Sequence, residues 1–354
     1  MTKNHNKYLD LAFQLAELNL GKTSHNPSVG CVVVKNGSVI SSGVTSKSGR
    51  PHSEFNALNK LKKCTGASLY TTLEPCTHQG KTPPCVDIII KKRIKNVYYA
   101  FEDPDLRTFK KAKKILDLNG VKSKLIPSRN HSKFYKSYFL NKKKFQPYVS
   151  AKIAISKDYQ TINRKYKWIT NNQSRKIVHL LRSQHDCIIS TSKTINLDNA
   201  RLNCRIKGLD NNKPDLFIID LKLKLKKNLI LSKLLNKRKT YLITSKKNNE
   251  KISFYRKLGY KIIFINSLNG KKDFNKLYNK IYKMGYSRIF FETGLTLLNH
   301  LIKNKLINDL YIFKGSKKLG KKGANNVPNI FLKKILPKLV TLDLNGDKLF
   351  KKEF

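Results

Sequence analysis

Apolar positions along this chain come in short runs, and their spacing switches repeatedly between helical and strand periods. Near the start, Leu9, Ala12, Leu15, Ala16 and Leu18 recur at helical spacing and predict a helix ending near Gly21. The segment GCVVVKNGSVISSG then reads as two strands joined by an Asn-Gly hairpin turn. A helix over SEFNALNKLKKC, a strand at ASLYTTL, a helix from PPCVDIIIKK and a strand at NVYYAF follow. A further helix begins near Arg107 and stops at Asn119-Gly120, before a short strand KLI. This order predicts a three-layer α/β domain with mostly single crossovers.

Within FYKSYFLNKKKFQPYVSAKIAI a polar, lysine-rich piece meets a proline and then a fresh apolar strand, which sets a boundary near residues 143–147. Two domains, 1–144 and 145–354, are expected, and 354 residues suffice for two cores. In the second, YVSAKIAI, DCIIST, DLFIID, TYLIT, KIIFI and RIFFETG read as strands with helices between several of them. It contains no G-x-G-x-x-G, so the ordinary dinucleotide fingerprint is absent.

Composition narrows the class. Hydrophobic residues make up 40% and charged residues 27%, as in ordinary globular proteins. No run approaches the roughly 18–20 apolar residues of a membrane span. The start carries acidic residues, reads as an amphipathic helix and is unlike a signal peptide, so a cytoplasmic protein with no membrane partner is expected. The net charge of +51 comes from 73 basic against 22 acidic residues. Lysine clusters such as KKAKK, NKKKF and LKLKLKK are spread over both halves, alongside frequent asparagine and isoleucine. That is the drift an AT-rich coding sequence produces. A nucleic-acid surface and a preference for anionic small substrates stay open as alternatives. Six scattered cysteines in a reducing compartment favour metal or packing roles over disulfides.

Chemistry concentrates in two stretches, PHSEFNAL and TTLEPCTHQGKTPPC. A hydrolytic zinc site wants three thiolate or imidazole ligands and one open position, where a coordinated water loses a proton near neutral pH. His52, Cys76 and Cys85 supply such a set, and Glu54, two residues beyond His52, is free to move protons. A lone histidine or cysteine is more often packed or exposed than ligating. Here four elements stand in order, each beside its proline, and match the H-x-E…P-C-x-x-C pattern of zinc deaminases. Only the last spacing differs, with eight residues between the cysteines.

LEPCTHQGKTPPC resembles the deaminase segment of the bifunctional riboflavin-biosynthesis deaminase/reductase family, as do HNPSVGCVVV and PHSEFNAL, with Ser53 in place of the usual alanine. The resemblance implies a cytidine-deaminase-like first domain with zinc. In it Asn26 would hold the pyrimidine ring, while His78 and Lys81 reach substrate from the insert; lysine suits a phosphate as a mobile charge. Two departures bear on substrate contacts. Thr45 stands where the family usually has histidine, and DPDLRTFKKA lacks the usual glycine-rich continuation, so Asp103 to Thr108 should shape the pocket mouth differently.

The second half carries SAKIAIS, KWIT, HLLRSQHDCIIS, TINLDNARLNCR and FFETGLTLLNHLI in the order of that family's reductase domain, which resembles dihydrofolate reductase. The likeness implies Lys152, Arg182, Asp198, Leu202 and Arg205 around the ribose phosphate and Glu292 near the reacting sugar. Trp168, Thr194 and Gly294 would lie along NADPH. The family's Ser-Leu-Asp-Gly is replaced by residues of ISKDYQ, which displaces Asp158 and removes the glycine. Tyr166 replaces a serine, the Asp-Pro near Asp198 reads DNA, and Thr293 stands in the usual Glu-Gly-Gly, where it would crowd a cofactor phosphate.

The implied activity is deamination of 2,5-diamino-6-ribosylamino-4(3H)-pyrimidinone 5′-phosphate, followed by NADPH reduction of ribosyl to ribityl, in a homo-oligomer. Two rivals stand beside it: a deaminase whose second half has lost reduction, and a basic RNA-binding or editing protein. The insert speaks against the latter, as does the lack of a localised basic stripe with interleaved aromatics.

Overall fold

The structure, a computed structural model, describes residues 2–165, 168–210, 214–328 and 330–354; Tyr166 therefore lies outside the described residues. Contacts divide the chain into two compact units, Met1–Gln146 and Pro147–Phe354.

The first unit runs α1 (Thr2–Glu17), β1 (Gly30–Lys35), β2 (Ser38–Val44), α2 (Ser53–Leu58), β3 (Ser68–Thr71), α3 (Cys85–Lys91), β4 (Asn96–Tyr99), α4 (Ala112–Leu118), β5 (Lys122–Leu125) and α5 (Lys136–Lys144). Its sheet has the order β2-β1-β3-β4-β5, antiparallel at β1 and parallel from β3 to β5. Side chains alternate across β1. Cys31 and Val33 join a core with Leu58, Val86, Ile89 and Leu116, and Val32 and Val34 join another with Leu9, Ala12, Phe13 and Tyr135. Helices thus cover both faces. Asn36 and Gly37 both take positive φ, as the tight hairpin demands.

The structure departs from the sequence pattern at several points; the helix expected from near Arg107 starts only at Ala112, after a turn over 106–111. Leu18 is 53% exposed because α1 ends at Glu17, and Phe13 fills the core face instead. The helix expected through Cys64 stops at Leu58, since the chain turns at Asn59 and brings Cys64 and Ala67 into the core. The supposed linker folds as α5, with Tyr138 and Asn141 buried on it.

The second unit contains β6 (Tyr148–Ile155), β7 (Ile162–Asn163), α6 (Asn172–Ser183), β8 (Cys187–Thr191), α7 (Ser192–Asp198), β9 (Asp215–Ile219), β10 (Thr240–Thr244), α8 (Asn249–Lys257) and β11 (Lys261–Phe264). It continues through α9 (Lys271–Lys283), β12 (Arg288–Glu292), α10 (Leu295–Lys303), β13 (Asp309–Lys314), β14 (Gly323–Ala324), α11 (Ile330–Ile335), β15 (Leu342–Leu344) and β16 (Asp347–Glu353). The main sheet orders β11-β10-β9-β8-β12-β6-β13-β16-β15, parallel up to β13 and antiparallel beyond. Strands buried on both faces read as continuous apolar runs, which is why six were legible. One core packs α9 and α10 against the sheet, the other α6, α7 and α8.

Candidate active sites

In the first unit, α2 starts hard against β2: a Cβ added at Gly43 would lie 2.2 Å from the Ser53 carbonyl oxygen. Only glycine permits that approach. His52 caps α2 in extended conformation and Glu54 sits in its first turn. Cys76 follows β3, and Cys85 opens α3. These elements converge. One ligand atom each from His52, Cys76 and Cys85 lies within 4.8 Å of the others. His52 Nδ1 is 3.5 Å from Cys76 Sγ and 3.4 Å from Cys85 Sγ, and the Cys85 amide donates to Cys76 Sγ at 3.2 Å. Two soft sulfurs and one imidazole nitrogen fit zinc, with one position left for water.

The electrostatics suit that set. A hydrogen bond from the Cys85 thiol brings Cys76 down to about 4, helped by His52 and opposed by burial. Cys85 is pushed well above its ordinary value because its neighbour already carries the charge. Burial pushes His52 down, but its hydrogen bond to Cys76 and the Glu54 charge outweigh this and raise it. Glu54 is buried, which raises its pKa, and its Oε2 accepts from the Ser53 hydroxyl at 2.8 Å.

The other predicted residues are placed as follows. Asn26 donates through Nδ2 to the Gly49 carbonyl at 2.9 Å, in the turn before His52. His78 Nδ1 lies 3.1 Å from the Thr108 hydroxyl. Burial, then Arg107, lowers the pKa of His78. Lys81 is exposed in the insert. Thr45 is buried, and its hydroxyl accepts from the Val29 amide at 2.9 Å, so it is spent on backbone. In the 103–108 stretch, Asp105 grips Arg107 through both oxygens and Lys142 at 2.8 Å, while Asp103 accepts from Tyr138 at 3.0 Å.

Two residues escaped the sequence reading. Arg50 spans the insert and the histidine of the cluster, with Nη1 2.5 Å from Thr82 Oγ1 and 3.4 Å from His52 Nε2. Its place directly before PHSE was the available signal. Buried Glu74 accepts backbone amides from Asp103, Lys110 and Ala112, each at 3.1 Å. A carboxylate inside the apolar TTLEPC stretch pointed to it.

In the second unit, parallel pairing sets Lys152 of β6 beside Glu292 of β12. Arg182, near the end of α6, meets the same carboxylate with Nε at 2.5 Å and Nη2 at 2.9 Å, while Lys152 Nζ lies 3.6 Å away. Burial alone would raise Glu292, but Arg182 and then Lys152 hold it down to about 2. Arg182 Nη1 donates to the Asn203 carbonyl at 3.0 Å, and Arg205 Nη1 to the Asn203 side chain at 2.9 Å. Lys152, Arg182, Arg205 and Glu292 are thereby brought together. Leu202 is buried at φ 49° in the loop before Arg205, and Asp198 is exposed at the end of α7.

Thr194 stands in the first turn of α7, its amide donating to Thr191 Oγ1 at 3.2 Å. Gly294 caps α10, and a Cβ there would meet no atom within 4 Å. Both lie just past the carboxyl ends of adjacent parallel strands, β8 and β12, where open α/β sheets take nucleotides. The Thr293 hydroxyl is buried without a hydrogen-bond partner among the described residues, while the space at Gly294 stays open. Trp168 is 53% exposed, with the Arg175 guanidinium 4.7 Å from its ring centre. Asp158 is held by the Ser156 hydroxyl at 2.5 Å and the amides of Leu319 and Gly320. Tyr159, in the same turn, takes φ 64°, its ring under Lys314 at 4.2 Å.

Comparisons with known proteins match both units. Residues 2–101 match the cytidine and deoxycytidylate deaminase zinc-binding region, and residues 147–344 match the RibD C-terminal domain. The riboflavin biosynthesis protein RibD of Aquifex aeolicus is 30% identical over 318 residues, covering 88% of this chain and 87% of the relative. The RibD of Actinobacillus pleuropneumoniae is 30% identical over 326 residues, covering 90% and 85%. The structure of Acinetobacter baumannii RibD, form 1, matches with a TM-score of 0.82 at 25% identity, over 99% of each chain.

Proposed function

This chain belongs to the RibD family and is a zinc-dependent deaminase and NADPH-dependent reductase of riboflavin biosynthesis; we propose here the residues and substrate for each step. The observation that carries the first step is the convergence of His52, Cys76 and Cys85 beside a buried Glu54. These three residues would hold zinc, which supplies a Lewis acid that turns water into a nucleophile at neutral pH. Glu54 accepts a proton from the attacking water and hands it to the departing amine, so ammonia leaves as oxygen takes its place on the ring. Burial raises its pKa and so favours the protonated state that it must visit in between. Asn26 orients the pyrimidine ring, and His78 and Lys81 face its ribose phosphate.

The substrate we assign is 2,5-diamino-6-ribosylamino-4(3H)-pyrimidinone 5′-phosphate. In the second unit NADPH, when bound along Trp168, Thr194 and Gly294, supplies the hydride. Lys152 orients Glu292 toward the sugar, supported by its contact with the carboxylate. Arg205, with Leu202 on its loop and Asp198 at the end of α7, takes the phosphate; Arg182 joins it on exchanging the carboxylate for a phosphate oxygen. The domains are assigned as residues 1–144 for deamination and 145–354 for reduction. A reducing cytoplasm suits the free thiols the metal needs, and we assign a homo-oligomer on the strength of the family likeness.

The test is turnover of the diamino pyrimidine phosphate by zinc-loaded protein, reading ammonia and then NADPH oxidation. Both should appear. Ammonia without NADPH oxidation would leave a deaminase with a silent second half. Salt-sensitive RNA binding with no turnover would overturn the assignment.

A further inference from the structure

Arg238 precedes β10 and is buried, yet no carboxylate pairs with it among the described residues. Its Nη1 donates to the carbonyls of Leu202 at 2.5 Å and Pro214 at 3.1 Å, and its Nη2 to the Arg201 carbonyl at 2.5 Å. Desolvation and the nearby Arg182 lower its pKa to about 10, so it keeps its charge at neutral pH. Residues 199–206 form neither helix nor strand, so buried carbonyls there need donors from elsewhere. The loop also holds Asn199 at φ 44° and Leu202 at φ 49°, a conformation that side chains other than glycine resist.

The same loop is gripped from the side of the site. The Asn203 carbonyl lies 3.0 Å from both Arg182 Nη1 and His179 Nδ1, and Arg205 is tied to the Asn203 side chain. The backbone that presents Arg205 is therefore clamped between Arg182 and Arg238.

We infer that Arg238 is a positioning residue for the anion-binding end of the reductase site, fixing the 201–205 backbone so that Arg205 and Arg182 keep the spacing a substrate phosphate requires. This rests on the reading of Arg205 and Arg182 as phosphate partners. Arg238 touches neither substrate nor cofactor. Its charge satisfies backbone carbonyls, and the planar fork reaches Arg201 and Leu202 together, as a lysine ammonium does not.

The experiment uses the full chain, the deaminated pyrimidine with and without its 5′-phosphate, and NADPH oxidation as readout. Arg238→Met should raise KM for the phosphorylated substrate about tenfold, the worth of one charge-assisted hydrogen bond. Preference over the dephosphorylated form should fall by the same factor. The kcat, the KM for NADPH and ammonia release by the first unit should stay within about twofold. Arg238→Lys should show a smaller loss of the same preference, and decides the matter alone if the methionine variant does not fold. Unchanged preference overturns the inference. So does an equal loss on both substrates with a raised KM for NADPH, the sign of general damage. Arg205→Gln separates the two layers: if it keeps the phosphate preference, the underlying reading fails. If it loses the preference and the Arg238 variants do not, only the present inference fails.

Discussion

Glu54 and Glu292 are both buried carboxylates, and their neighbours give them opposite characters. Glu54 has one hydroxyl partner and a raised pKa, which suits a group that must gain and lose a proton. Glu54→Gln should retain zinc by elemental analysis yet lose ammonia release by about 100-fold or more. Glu292 is held ionised by Arg182 and Lys152. Its folded pKa lies below the unfolded value, so its contribution to stability is present above about pH 4.3 and is lost as pH falls towards 2. Denaturation midpoints of the wild type and Glu292→Gln measured from pH 7 down should therefore converge at the acid end. These two carboxylates were legible from their motifs. Arg50, Glu74 and Arg238 were not, because what they do depends on groups the fold brings to them, Thr82 for Arg50 and backbone remote in sequence for the other two.

At the scale of elements, Glu74 joins the strand that leads into Cys76 to the segment 103–112. Its three accepted amides stand where a strand ladder would otherwise supply partners. Glu74→Ala leaves those donors buried and should cost about 2–4 kcal/mol in denaturant unfolding. Hydrogen exchange should rise first at Asp103, Lys110 and Ala112. Periodicity located the helices but not all their ends, as α2 stopping at Leu58 shows, while α5 was taken for a linker because KSYFLNKKK shows charge before it shows a face. β13, β15 and β16 also went unread. β13 pairs in parallel with β6 and antiparallel with β16, partners far apart in the chain.

Across the whole molecule, two chemistries share one chain, and their dependence on cofactors should separate. Chelation of zinc should abolish ammonia release while NADPH oxidation with the already deaminated substrate continues; loss of both would contradict separate sites. The net charge of +51 should favour an anionic substrate, so KM should rise with salt while kcat changes little. No helix among the described residues is long and apolar enough to cross a membrane. The sequence by itself determined the α/β class and singled out the proposed zinc donor set and proton carrier. Those follow from local periodicity and from residue types whose chemistry is specific. Tertiary structure decided that Arg182 is already paired with Glu292, that Tyr159 takes a positive φ, and that Arg238 braces the loop before Arg205. Each depends on groups brought together from distant stretches, and spacing along a chain carries no record of such meetings.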